Sequence, residues 1–144
     1  MKLNTASAVI SFAKELEENS IKYYEKLIQK FPQDSETFLS FMKENKKNIV
    51  LIQRVYYEGI TDAIEGCFSF EGLDTDNYSF NQKLFTNVIY PNVLEDAIKI
   101  EEKIQKYYLS SAKMSKSLMA DIPTVFERIA KKRDKRKISL KVLK

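Results

Sequence analysis

Residues 13–24 read AKELEENSIKYY, and residues 97–108 read AIKIEEKIQKYY. Glu17 precedes the pair Tyr23-Tyr24 as Glu101 precedes Tyr107-Tyr108, at an offset of 84 residues. Around the first copy, Val9, Ala13, Leu16, Ser20, Tyr24, Leu27 and Phe31 recur at three- and four-residue spacing, the period of one helix face. Glu17 falls inside that stripe, whereas Glu15 and Glu18 keep company with Ser11, Lys14, Asn19 and Lys22. Glu101 likewise stands among Ala97, Ile98, Ile104 and Tyr108, while Glu102 sits among Lys99, Gln105 and Lys106. Each copy therefore turns one acid towards the core. A charge there is costly unless it is paired.

A second helix follows each copy. Phe31-Pro32 ends the first helix, whose start Asn4 or Thr5 can cap, and Asp34 or Ser35 opens the second. Its stripe is Phe38, Phe41, Met42, Ile49, Ile52 and Tyr56, with periodicity to about Phe68. Asp121 and Pro123 suit the first turn of a fourth helix carrying Val125, Phe126, Ile129, Ala130 and Leu140. Phe38 matches Phe126 and Phe41 matches Ile129 at an offset of 88, as if four residues had been inserted between paired helices. On the inward faces of these second helices stand Asn45 and Asn48, and Arg133 and Arg136. Two inward acids and two inward cations neutralise one another, and a guanidinium meets carboxylates bidentately. The expectation is that Arg133 and Arg136 pair with Glu17 and Glu101. Asn45 and Asn48 complete the hydrogen bonds, with Tyr24 or Tyr108 joining.

Between the halves, Gly72, Asp74, Asp76 and Asn77 are loop chemistry, and Phe80, Leu84, Phe85, Val88 and Ile89 suit a short element lying on the body. Pro91 closes this stretch, and Asn92 with Glu95 forms a capping-box-like start to the third helix. Some 23 extended residues reach roughly 75 Å, and a 25-residue helix is roughly 37 Å long, so the connection can return along the bundle. The fold expected is all-α: one domain over 1–144, a four-helix bundle with hairpins at about 5–68 and 92–142 and one long crossover at about 69–91.

Composition narrows the chemistry. The chain has no histidine, one cysteine (Cys67), three glycines and three prolines. Histidine-based catalysis and histidine metal ligation are excluded. So are an internal disulfide and a cysteine-built zinc or iron–sulfur site within one chain. No phosphate-loop or dinucleotide fingerprint is present. Cys67 reads as a small apolar residue, and the eight tyrosines as packing groups. No stretch approaches the length of a membrane span and no signal peptide is visible, so a cytoplasmic, membrane-free protein is expected. Lys131, Lys132, Arg133, Lys135, Arg136, Lys137, Lys141 and Lys144 face Asp134 alone over residues 131–144, in a chain of net charge +4. Such a segment can bind nucleic acid. The favoured reading is a solvated helix end, because no aromatic platform is interleaved.

The pattern resembles the ferritin-like superfamily, and within it the rubrerythrin-like di-iron proteins. Residues 6–56 and 92–141 carry the likeness. That family places Glu on helices one and three and Glu-x-x-His on helices two and four around two irons. Glu17 and Glu101 match ligand positions. Asn45 and Asn48 stand where one Glu and His would be, Arg133 and Arg136 where the others would be. The resemblance thus implies the fold without its iron: a structural or interaction protein with a Glu/Arg/Asn polar core, no cofactor, and a homodimer whose partner contact involves Phe68, Phe70, Phe80 and Phe85. The alternative is a remodelled metal oxidoreductase with iron on Glu17 and Glu101, helped by Glu44 or Asp134. Nucleic-acid binding through residues 131–144 is the third reading.

Overall fold

A computed structural model describes residues 1–59, 73–80, 89–115 and 121–144. Four α-helices account for most of them: α1 (Ala6–Lys30), α2 (Ser35–Gly59), α3 (Tyr90–Ser115) and α4 (Asp121–Leu143). Among the described residues the β pairing is one isolated bridge, Lys2 with Asp74. No helix among them is long and apolar enough to cross a membrane.

Local chemistry sets the helix ends. Thr5, in extended conformation, caps α1 by accepting from the Ala8 amide at 3.1 Å. Phe31 leaves the helix ahead of Pro32, and a 3₁₀ turn over Pro32–Asp34 delivers the chain to α2. α3 begins at Tyr90, two residues before the expected start at Asn92. Pro91 does not close the preceding stretch. It occupies the first turn, where its missing amide hydrogen has no helical partner to lose. Tyr90 fixes that end by donating to Asp34 at 2.5 Å and packing its ring on Phe31 at 4.7 Å. The expected run of α2 to Phe68, and Cys67, Phe68, Phe70 and Phe85, lie outside the described residues.

Side-chain contacts give the helix directions. Ser20 meets Asn45 and Glu17 meets Asn48, so α1 and α2 are antiparallel. Tyr108 on Phe126 and Glu101 on Arg133 make α3 and α4 antiparallel. Tyr24 reaches Glu101 while Val9 reaches Tyr107, so α1 also opposes α3. Phe41 and Glu44 both meet Arg136, and Asn45 meets Arg133, so α2 opposes α4. It follows that α2 and α3 are parallel. The described part of the chain between them, residues 73–80, runs along the bundle. The Leu3 amide donates to the Leu73 carbonyl, Tyr78 packs on Tyr107, Ser79 accepts from Lys103, and Phe80 lies against Tyr23.

The core comes from all four helices, with Leu3 and Leu73 closing one end. The repeat reappears as packing: Tyr24 stacks on Phe38 at 5.7 Å, and Tyr108 meets Phe126 at 5.2 Å. Glu15, Glu18 and Glu102 are exposed, while Glu17 and Glu101 are wholly buried.

Candidate functional site

The bundle centre is polar. Glu17, Asn45, Asn48, Glu101 and Arg133 are all 0% exposed, and Arg136 is 2% exposed. The structure thus brings together six residues drawn from all four helices, because each occupies the core stripe of its own helix.

Arg133 sits between the two acids. Its Nη1 donates to Glu101 Oε2 at 2.8 Å and Oε1 at 2.9 Å, and its Nη2 donates to Glu17 Oε2. The same guanidinium reaches Ser20 Oγ at 3.2 Å and Asn45 Oδ1 at 3.1 Å. Asn45 in turn donates to Ser20 at 3.1 Å, and Asn48 donates to Glu17 Oε1 at 2.6 Å. The Tyr24 hydroxyl donates to Glu101 Oε1 at 2.6 Å. Tyr108 is buried beside Glu17, outside hydrogen-bond geometry. All four oxygens of the two central carboxylates are therefore engaged.

Arg136 pairs with Glu101 too, but more loosely. It reaches Glu101 Oε1 only at 3.4 Å, donates from Nε to Glu44 Oε1 at 2.9 Å, and closes with Nη2 on the Phe41 carbonyl at 2.8 Å. Its guanidinium lies 5.0 Å from the Phe41 ring centre and 6.0 Å from that of Tyr24, a cation–π arrangement. Glu44 belongs to the network through Arg136, on the half-buried edge of the centre. Asp134 does not belong to it. One residue on from Arg133, it is rotated about 100° round the helix to the solvent side, where it meets Lys137 at 3.5 Å. Ser20, which the sequence marks only as a small stripe residue, is a working member of the network.

Electrostatics follow from this packing. Burial raises the Glu101 carboxyl, but the guanidinium groups of Arg133 and Arg136 and the Tyr24 hydroxyl outweigh it, and its pKa lies below the usual carboxylate range. Burial opposes the Arg133 charge, and Glu101 and Glu17 more than restore it. Burial, then the charge of Glu101, raises Tyr24. Burial, then Glu17, raises Tyr108. These shifts favour a charged Glu101 carboxylate, a charged Arg133 guanidinium and neutral Tyr24 and Tyr108 phenols.

A di-iron centre does not fit this donor set. Every carboxylate oxygen at the centre already accepts from a cation, an amide or a phenol. Arg133 and Arg136 place positive charge against these carboxylates, where it repels a metal cation, and Asn45 and Asn48 are weak ligands for iron. Among the described residues no three His, Cys, Asp or Glu side chains are grouped to hold a metal ion.

The basic C-terminal segment is the end of α4, and its two arginines point inward. Of its lysines, Lys137 meets Asp134 and Lys144 meets Glu95. The outward basic surface is thus smaller than the sequence count implies. No family model matches this chain, and no curated protein or solved structure does either.

Proposed function

We propose that this protein is a ferritin-like bundle of the rubrerythrin-like kind, in which a carboxylate–guanidinium core stands in place of the di-iron site. It works as a structural or interaction protein and not as an oxidoreductase. One observation carries the reading: Arg133 lies across both Glu17 and Glu101, the two carboxylates that match family ligand positions. The helix directions support the ferritin-like part, since parallel second and third helices with a long crossover between them belong to that arrangement. The tyrosine–phenylalanine packing repeated in both halves adds to it.

A salt-bridged centre of this kind fixes which helices meet and in what register, a role attested for buried polar groups elsewhere. The test is elemental analysis of protein produced in iron- and manganese-replete medium. The expected result is far less than one metal ion per chain. Two iron ions per chain would overturn the proposal and return the oxidoreductase reading.

A further inference from the structure

The described part of the connection between the halves lies on α1 and α3, where Tyr78 packs on Tyr107 and Phe80 on Tyr23. The opposite seam, between α2 and α4, stays open among the described residues. It holds two adjoining hollows, of about 450 and 240 Å³, which share Leu51 and are lined by these two helices alone. The pairing of Asn45 with Arg133 and of Glu44 with Arg136 sets the register. Lys47 stands level with Lys132, Leu51 with Arg128, and Glu58 with Asp121. From Lys47 to Glu58 the seam runs about 17 Å.

Its charge is one-sided. Lys46, Lys47, Arg54, Arg128 and Lys132 line it, against Glu58 and Asp121 at the far end. Among the described residues none of these five cations forms an ion pair, whereas Lys106, Lys137 and Lys144 each do. Acids close by in sequence are engaged elsewhere: Glu44 holds Arg136, and Asp134 meets Lys137. Cations gathered without counter-charge repel one another, and a cleft lined by one sign attracts the other. Between the ammonium groups the floor is apolar. Val50 is 51% exposed, Leu51 lies half-buried beside it, and the lysine stems extend that surface. A groove between two packed helices, apolar along its floor and charged along its edges, is the seat of a third, amphipathic helix. No aromatic ring lines it, so bases of a nucleic acid have no stacking platform there.

We propose that the α2/α4 seam docks an acidic amphipathic α-helix of a partner protein, its apolar face on Val50 and Leu51 and its carboxylates on Lys46, Lys47 and Lys132. The inference rests on the interaction part of the reading above and not on its metal-free part, so peptide binding and metal content are separate readouts. Fluorescence anisotropy of the full chain with a labelled designed peptide tests it. The peptide is a helix of about five turns, with leucine along one face and glutamate along the other. Saturable binding is expected, with the methyl NMR signals of Val50 and Leu51 shifting as the peptide is added. The same peptide with lysine in place of glutamate should not bind. Lys47→Glu with Lys132→Glu should raise the dissociation constant of the glutamate peptide about tenfold or more at low salt. The same double variant should gain binding of the lysine peptide, a gain that a misfolded chain would not show. A glutamate peptide that does not bind overturns the proposal. So do equal binding of both peptides, indifference to the charge reversal, and methyl shifts that bypass Val50 and Leu51. Displacement of the peptide by single-stranded oligothymidylate, bound more tightly, would also overturn it and give the seam to nucleic acid.

Discussion

Arg133 does at residue level what the sequence divides between two arginines. The inward placement of Glu17 and Glu101 is readable from sequence, because an acid set in an apolar helix face is carried into the core with that face. Which cation serves which acid is not, since it depends on helix separation and side-chain reach. Hence one guanidinium takes both acids, and Arg136 turns to Glu44 and the Phe41 carbonyl. Replacing Arg133 leaves two buried carboxylates facing each other. Arg133→Met should cost about 3–5 kcal/mol of unfolding free energy, read from urea midpoints. Adding Glu17→Gln and Glu101→Gln should recover much of that loss. Ser20 escapes a sequence reading for a simple reason: a serine in a helix stripe is ordinarily a small packing residue, and only its neighbours across the bundle make it an acceptor.

The four helices are legible as elements because periodicity over more than twenty residues is a strong signal. Their ends are less so. Proline punctuates a chain both before and inside a helix, and the Tyr90 contacts with Asp34 and Phe31 that settle α3's start join positions far apart in sequence. α4 is the least amphipathic of the four by sequence, because Arg133 and Arg136 lie on its buried face. The cap on α1 is a purely local feature. Thr5→Ala removes the acceptor for the Ala8 amide and should destabilise the fold by about 1 kcal/mol. Chemical denaturation would measure it, and Thr5→Ser should retain most of the stability.

For the molecule as a whole, the absence of histidine takes on a physical meaning. No side chain of the chain has an ordinary pKa that places histidine-type titration near neutrality. Glu101 has a depressed pKa when folded, so its contribution is present above the unfolded carboxyl value of about 4.3 and is lost as pH falls below it. Tyr24 and Tyr108 have raised values, so their contribution holds below the unfolded phenol value of about 10 and is lost above it. Urea midpoints should form a plateau from about pH 5 to about pH 10, falling on both sides.

The central claim concerns what holds the bundle centre together. A bound metal would stabilise the native state by mass action, about 2.7 kcal/mol at a hundred times its Kd. Thermal unfolding in excess ferrous or manganous ion, against the same protein in chelator, compares the two accounts directly. A guanidinium-held centre predicts the same Tm in both. A Tm several degrees higher with metal, reversed by Glu17→Gln, would contradict it.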